Sequence, residues 1–361
     1  MALSVLIAGG GTGGHLYPGI AVARALMARV PDAQVVFVGT AAGVESRVVP
    51  HEGFPLEVIR SAGLKGKSFR SLLRGLLLLP MSAVDAWSVL SRRRPSIVIG
   101  VGGYSSGPVV ALAALRGLPT LLMEQNAVPG FTNRLLAPLV SAAAVTYEDS
   151  VGVFGRKAFV AGNPVRPEFL RKESHGEHKS PPGAARVLVF GGSQGAHALN
   201  MAMVEAAARL AAAAPAVGVT HQSGERDLEV VRDGYRRAGL EARVEPFLFT
   251  MDREMRSADL VVCRSGATTL AELTASGRAS ILVPFPGATD DHQRKNAEAL
   301  ARAGAARMID QRELNGDRLA AEILALLGDP AERRRMGEAA ARLARPDAAS
   351  VIVDKALELA R

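Results

Sequence analysis

The sequence predicts an α/β protein in which two parallel sheets follow one another along the chain. Short apolar runs typical of buried strands alternate with helical patterns throughout the 361 residues, as expected where helices connect parallel strands. The succession of strand, glycine-rich loop and helix at the N-terminus begins again near residue 186. Between the two halves lies a polar stretch, residues 171–185, whose prolines, glycines and histidines are typical of a linker.

The apolar runs place the strands of both sheets. In the first half we predict strands near residues 3–8, 35–38, 56–59, 96–100, 120–123, 142–145 and 158–160. In the second half we predict them near residues 186–190, 217–221, 242–245, 259–262, 280–283 and 306–309. Residues 331–361 have a helical pattern that Pro346 divides in two, and the domain boundary falls at residues 163–167.

The composition is that of a globular protein, with 48% hydrophobic and 22% charged residues. The single cysteine, Cys263, excludes an internal disulfide and a cysteine metal cluster, and its place at the end of an apolar run predicts a buried structural thiol. The N-terminus lacks the basic start of a signal peptide. The apolar run at residues 76–79 is interrupted by Pro80, too soon to span a bilayer. We therefore expect a cytosolic protein or one bound to a membrane surface.

The first glycine-rich loop, residues 9–15, follows the first strand and precedes a helical segment, residues 20–26. Loop amides and a helix N-terminus in this order face an anion. The glycines also match the dinucleotide pattern G-x-G-x-x-G, but the second strand ends in Gly39-Thr40, where that pattern requires an acidic residue. Two further loops of this kind, residues 100–108 and 191–196, follow other strands. Together they predict a cleft at the strand ends that binds phosphorylated ligands.

Two polar segments of the second half follow strands in the same way. In residues 264–273, Glu272 either lies on a helix surface or accepts hydrogen bonds from a ribose diol. In residues 284–293, amide, carboxylate and imidazole groups either cap a helix or bind sugar hydroxyls.

The sequence predicts no metal site. It contains no Asp-x-Asp motif, and the adjacent Asp290 and Asp291 would face opposite ways as strand residues. His175 and His178 are typical of a solvated loop. Loop amides and helix termini can bind a diphosphate without a metal ion.

Residues 60–94 contain eight basic residues and one acidic residue, nearly the whole net charge of +8. Within residues 64–94, an apolar stripe at helical spacing is followed by Trp87 and three arginines. This combination is typical of a helix on an anionic membrane surface; the alternative is a core helix with solvated arginines. Nucleic acid is disfavoured as a partner, because aromatic residues make up only 4% of the chain and none interleave with the basic run for base stacking.

Seven motifs, in family order over nearly the whole chain, resemble the MurG family of glycosyltransferases within glycosyltransferase family 28. They are residues 10–19, 102–108, 124–126, 162–166, 191–196, 263–272 and 291–293. The resemblance implies two Rossmann-like domains facing across a cleft, the GT-B fold. It assigns residues 1–163 and the C-terminal helix 344–361 to the acceptor-binding and membrane-associating domain, and residues 164–343 to the donor-binding domain.

The resemblance also implies a reaction. An inverting transferase would move N-acetylglucosamine from UDP-N-acetylglucosamine to the C4 hydroxyl of undecaprenyl-pyrophosphoryl-N-acetylmuramyl-pentapeptide in peptidoglycan synthesis. It would work without a cofactor, at the cytoplasmic face of the inner membrane. Two alternatives stay open: another UDP-sugar enzyme of this fold, such as a glycolipid transferase or UDP-N-acetylglucosamine 2-epimerase, and a non-catalytic membrane scaffold.

By motif position, the resemblance implies a set of donor-binding residues. These are Thr12, Gly13, Gly14, Asn126, Arg166, Ser193, Leu248, Ala267, Thr268, Thr269, Leu270, Ala271, Glu272 and Gln293. Leu248 would contact uracil through its backbone, and His292 stands where one family pattern has a glutamine. His15 is the candidate general base, because imidazole suits proton transfer near neutral pH and ends the first glycine loop. Glu124 is the other candidate.

Overall fold

The computed structural model describes residues 3–61, 69–170, 185–192, 194–213 and 216–361, and within these the side chains at 69–77, 79 and 289 are excluded. The chain divides into two compact units. The first unit comprises Met1–Pro167 together with Arg345–Arg361, and the second unit comprises Glu168–Ala344.

The first unit contains a parallel sheet whose described strands have the order β3-β2-β1-β4-β5-β6-β7. The strands are β1 Ser4–Gly9, β2 Gln34–Gly39, β3 Leu56–Val58, β4 Ile97–Gly102, β5 Thr120–Glu124, β6 Ala142–Val145 and β7 Ala158–Val160. The helices are α1 Gly13–Arg29, α2 Glu45–His51, α3 Phe69–Arg93, α4 Ser106–Leu115, α5 Phe131–Leu136, α6 Val151–Phe154 and α7 Pro167–Leu170, the last at the boundary between units.

The second unit contains a parallel sheet whose described strands have the order β10-β9-β8-β11-β12-β13. The strands are β8 Ala185–Phe190, β9 Val217–Gln222, β10 Ala242–Glu245, β11 Leu260–Cys263, β12 Ser280–Leu282 and β13 Arg307–Met308. The helices are α8 His197–Ala211, α9 Leu228–Ala238, α10 Met251–Ser257, α11 Ala267–Ser276, α12 His292–Arg302, α13 Gly316–Gly328 and α14 Pro330–Leu343. Helix α15, Ala348–Leu359, belongs to the first unit.

The continuous apolar runs arise because both faces of each sheet are covered by helices. In β1, Val5 and Ile7 belong to one hydrophobic core, which includes residues of α1 and α15. Leu6 and Ala8 point to the opposite face and belong to a second core, which includes residues of α3 and α4. The predicted strand positions and the predicted break at Pro346 are confirmed.

Two helices differ from the sequence prediction. Helix α1 begins at Gly13 and not near Ile20, so His15 lies in its first turn. Helix α3 continues across Pro80 to Arg93, although proline removes one backbone hydrogen bond there. Among the described residues, no helix combines the length and apolar character needed to cross a bilayer.

Replacement of Ile352 by alanine should destabilise the first unit. Ile352 is fully buried in the core that α15 shares with α1, and truncation of such a side chain costs about 2–5 kcal/mol. Urea unfolding followed by the fluorescence of Trp87, the single tryptophan, reports on this unit. Glu358→Ala, on the exposed side of α15, is the matched control and should change the free energy of unfolding by less than about 0.5 kcal/mol.

Candidate active site

Two glycine loops of the first unit contact each other through their backbones. A Cβ atom at Gly9 would lie 2.4 Å from the carbonyl oxygen of Gly102, and one at Gly103 would lie 2.4 Å from that of Gly10. Gly9, Gly102 and Gly103 also have positive φ angles. Only glycine permits both the conformation and the approach. The loops after β1 and β4 therefore form one continuous surface at the carboxyl edge of the sheet, as predicted.

Glu45 supports the first loop from below. Its side chain is fully buried, and its Oε2 accepts a hydrogen bond of 2.7 Å from the backbone N–H of Gly11. Its Oε1 accepts from the backbone N–H and the hydroxyl of Thr40, both at 2.9 Å. The role of Glu45 was not predicted from the sequence. The sequence did contain a signal for it. An acidic residue closely follows the second strand, although that strand does not end in the acidic residue that binds ribose in a dinucleotide site.

His15 lies in the first turn of α1 and is half-buried. Its Nδ1 lies 3.2 Å from the hydroxyl of Thr12, the residue that precedes the helix. Its ring packs directly on the backbone of Gly102, where a Cβ atom would come within 2.7 Å of the imidazole Cδ2. The tautomer in which Nδ1–H donates to Thr12 leaves the ring lone pair on Nε2.

Glu124, the other candidate base, is buried at the end of β5 and is held by its own loop. One carboxylate oxygen accepts from the backbone and side-chain N–H groups of Asn126 at 3.0 and 3.2 Å. The other accepts from the backbone N–H of Gly130 and the amide of Asn133 at 2.9 and 2.8 Å. Burial raises the pKa of Glu124 above its usual value, and these hydrogen bonds partly offset that effect. Both oxygens serve the loop, so the structure gives Glu124 a supporting position.

Other predicted residues of the first unit lie near these loops. Gly13 and Gly14 begin α1 directly after Thr12. The guanidinium of Arg166 lies 5.4 Å from the ring centre of Tyr17, a residue of α1. The Asn126 side chain is bonded to Glu124, as described above.

The third glycine loop lies in the second unit, between β8 and α8. Gly192 and Gly195 have positive φ angles, and the N–H of Gly195 donates to the carbonyl of Gly192 at 3.0 Å. Helix α8 starts two residues later, at His197, so its N-terminus follows the loop directly. This is the predicted arrangement for an anion. Ser193, a predicted donor contact in this loop, lies outside the described residues.

Gln222 joins this loop to the segment after β10. Its side chain is 2% exposed, its Nε2 donates to the carbonyl of Gly192 at 2.8 Å, and its Oε1 accepts from the N–H of Leu248 at 2.8 Å. The role of Gln222 was not predicted from the sequence, because a glutamine at a strand end has no distinctive pattern.

Leu248 lies beside an open cavity of about 470 Å³ in the second unit. The cavity is lined by Glu225, Arg243, Glu245, Pro246, Phe247, Leu248, Phe249 and Thr250. Since the Leu248 N–H is bonded to Gln222, the polar backbone group that Leu248 can offer a base is its carbonyl. That group suits a donor such as the N3–H of uracil.

Glu272 is buried, with 6% of its surface exposed, so the surface alternative is wrong. It lies on α11, whose first turns also hold the predicted residues Ala267, Thr268, Thr269, Leu270 and Ala271. The loop before α11 is tied to the next polar segment, because the hydroxyl of Ser265 donates to the carbonyl of Gln293 at 2.8 Å. The side-chain oxygen of Gln293 in turn accepts from the N–H of Phe285 at 3.0 Å.

Arg264 reinforces the same link. It is 8% exposed and donates to the carbonyls of Val283 and Pro284 and to the side chain of Gln311. Burial lowers the pKa of Arg264 to about 10. The neighbouring Cys263 is fully buried, as predicted, and burial raises the pKa of its thiol.

The prediction that Asp290 and Asp291 face opposite ways as strand residues is wrong. Both lie in a single 3₁₀ turn with positive φ angles, and not in a strand, directly before His292 begins α12. Within the described ranges, no three His, Cys, Asp or Glu side chains come together in a way that could hold a metal ion. His175 and His178 lie outside those ranges.

Family comparisons cover both units. Residues 5–145 match the N-terminal domain of glycosyltransferase family 28, and residues 186–352 match its C-terminal domain. The chain belongs to glycosyltransferase family 28. Its fold, with two parallel sheets in two α/β units, is the one predicted from the sequence.

Two relatives in family 28 match the chain over nearly its full length. Both are named UDP-N-acetylglucosamine–N-acetylmuramyl-(pentapeptide) pyrophosphoryl-undecaprenol N-acetylglucosamine transferase. The protein from Anaeromyxobacter sp. is 51% identical and covers 99% of this chain and 94% of its own length. That from Pelobacter propionicus is 50% identical, with 98% and 99% covered.

Two solved structures are similar to this family 28 chain over nearly its full length. The crystal structure of Acinetobacter baumannii MurG is similar with a TM-score of 0.79 and 29% identity, over 99% of both chains. A putative UDP-N-acetylglucosamine 2-epimerase from Listeria monocytogenes has a TM-score of 0.69 at 15% identity, over 98% of this chain and 95% of that one. The second likeness shows the fold alone.

Replacement of Glu45 by glutamine should destabilise the first unit. The new amide can still accept from Thr40, but its NH₂ group would face the N–H of Gly11 and leave that donor unpaired. A buried unpaired donor costs about 1–3 kcal/mol, measured as the loss in the free energy of unfolding. Glu52→Gln, which removes an ion pair with Arg24 near the surface, is the control and should cost less than about 1 kcal/mol. Equal losses in the two variants would contradict this role of Glu45.

Proposed function

We propose that the chain transfers N-acetylglucosamine from UDP-N-acetylglucosamine to the C4 hydroxyl of undecaprenyl-pyrophosphoryl-N-acetylmuramyl-pentapeptide, the step that completes the lipid-linked disaccharide of peptidoglycan. The observation that carries the proposal is the identity of 50% or more, over 98–99% of this chain, to relatives named for that reaction. The donor and the acceptor are accordingly the proposed small-molecule and lipid partners.

The second unit offers groups suited to the donor. The loop at residues 191–196 and the N-terminus of α8 would bind the diphosphate and stabilise the negative charge that develops on departing UDP. The carbonyl of Leu248 would accept from uracil, and Glu272 from the ribose hydroxyls. Gln293 and His292 would contact the sugar. In this assignment the diphosphate is bound by loop amides and a helix N-terminus, groups that can hold it without a metal ion.

The first unit offers the proposed general base, and Thr12, Gly13, Gly14, Asn126 and Arg166 as further contacts. In this proposal His15 Nε2 takes the proton of the acceptor C4 hydroxyl while its oxygen attacks the anomeric carbon. The bond from that carbon to the β-phosphate oxygen breaks, so the configuration inverts and UDP leaves. The position of His15 beside two glycine loops favours it over Glu124, whose carboxylate is engaged by four donors.

The assay for the proposed reaction combines purified protein, labelled UDP-N-acetylglucosamine and the lipid-linked acceptor, with and without added divalent metal. Label should move to the lipid. A parallel reaction without acceptor tests the epimerase alternative, which predicts formation of the 2-epimer of the donor. If label stays with the nucleotide in every mixture, the proposal is wrong.

His15→Ala should lower kcat about 10²- to 10⁴-fold, the usual contribution of a general base, while KM for the donor changes little. Steady-state kinetics at saturating acceptor would measure both constants. His51→Ala, at an exposed histidine of α2, is the matched control and should retain normal turnover. Near-normal turnover of the His15 variant would remove the assignment.

We also propose that the first unit binds the cytoplasmic face of the inner membrane as a peripheral protein, through the segment 64–94. The described half of α3 exposes Met81, Val84 and Trp87, an apolar ridge at intervals of three residues. The charge is less concentrated than the sequence suggested, because Arg92 and Arg93 pair with Glu57, an acidic residue outside the counted stretch. Arg60 pairs with Asp85, the one acidic residue already counted. The proposal of membrane binding therefore rests more on this exposed apolar ridge than on net charge.

Val84→Glu should weaken membrane binding, because Val84 is 65% exposed and a charge there opposes insertion. Cosedimentation with vesicles containing phosphatidylglycerol would show the loss, which we expect to be about tenfold in the partition coefficient. The control is Val230→Glu at an exposed valine of the second unit. Equal membrane binding by the two variants would contradict the proposed surface.

A titration with nucleic acid would test the separate expectation that the basic segment does not bind nucleic acid.

A further inference from the structure

Gln222 occupies the central register position at the carboxyl edge of three adjacent strands. It pairs with Phe190, the last residue of β8, and with Glu245, the last residue of β10. The glycine loop leaves the first of these strands and the Pro246-Phe247-Leu248 segment leaves the second. A side chain at this position can therefore reach both.

The amide of Gln222 contacts each segment through a different atom. Gly192 contributes a carbonyl, which can only accept, and Leu248 contributes an N–H, which can only donate. These partners fix the orientation of the amide. Both bonds are 2.8 Å long and the side chain is 2% exposed, so water does not compete for them.

The base of this arrangement is rigid. The next strand residue back, His221, is fully buried and lies 2.6 Å from the hydroxyl of Tyr235 and 3.0 Å from the side-chain oxygen of Asn200. The next residue forward, Ser223, donates its N–H to the carbonyl of Glu245. A Cβ atom at Gly195 would lie 1.9 Å from the carbonyl oxygen of Ser223. Neighbouring residues thus hold β9 against both segments.

We propose that Gln222 is a positioning residue that fixes the separation between the phosphate-binding loop and the base-binding segment, and so favours a nucleoside diphosphate over ligands that reach only one of them. This inference rests on the proposed donor chemistry of the second unit. Gln222 itself acts through Gly192 and Leu248, and it contributes no group to the reaction.

The test compares the affinities of UDP and uridine for the full-length chain, measured by calorimetry and ligand-observed NMR. In Gln222→Met, which removes both hydrogen bonds at similar volume, the Kd for UDP should rise about tenfold. The Kd for uridine should rise by less than about threefold, since uridine lacks the diphosphate. In the transfer assay, KM for the donor should rise more than kcat falls, and KM for the acceptor should stay the same.

Two further variants separate positioning from stability. Gln222→Asn keeps an amide but is one methylene too short to span both partners. It should show the same selective loss of affinity for UDP, and it serves as the test if the methionine variant does not fold. Tyr235→Phe removes the buried hydroxyl that contacts His221, the residue before Gln222 in β9. It should lower thermal stability while the affinity for UDP stays normal.

Unchanged UDP affinity in a folded Gln222 variant would overturn the inference and leave the proposed function standing. An equal loss for UDP and uridine would also overturn it, because a general loosening of the unit predicts that result. Failure of the wild-type protein to bind UDP would overturn the inference together with the proposed donor site.

Discussion

The close approach of backbones at the strand ends is the constraint on which the first unit depends. Parallel strands deliver all their outgoing loops to one edge of the sheet. There the loops after β1 and β4 meet at distances that leave no room for a Cβ atom at Gly9 or Gly103. The ring of His15 rests on the same backbone, at Gly102. The position of the imidazole is thus a consequence of where side chains are absent.

Each unit stabilises its glycine loop with one buried polar side chain. In the first unit a carboxylate, Glu45, accepts from the loop and from the end of β2. In the second unit an amide, Gln222, donates to the loop and accepts from the segment after β10. The chemical difference follows from the groups presented: the first unit offers only donors, whereas the second offers one acceptor and one donor. The two similar strand–loop–helix arrangements thus stabilise their glycine loops with different residues.

The strands could be predicted because burial on both faces leaves an unbroken apolar run, as in β1, which needs no knowledge of distant residues. The loop contacts could not. Glu45 and Gln222 act through partners that become neighbours only when the chain folds. Gln222 has no distinctive local pattern, and the acidic residue after β2 does not by itself reveal its partner in the first glycine loop. The same limit explains the basic segment, where Glu57 lies outside the stretch whose charges were counted yet pairs with Arg92 and Arg93. The turn at Asp290 and Asp291 was not predicted, because aspartate adopts the left-handed conformation more often than most residues but does not require it.

The buried imidazole of His221 couples folding of the second unit to the proton concentration. Burial lowers its pKa to about 3, whereas an exposed histidine titrates near 6.5. Between these values the unfolded chain binds a proton that the folded unit does not bind, so this group lowers the free energy of unfolding by up to about 1.4 kcal/mol for each unit that the pH falls below about 6.5. Above pH 6.5 the coupling vanishes. Mild acidity would therefore destabilise the second unit, whose strand β9 carries Gln222.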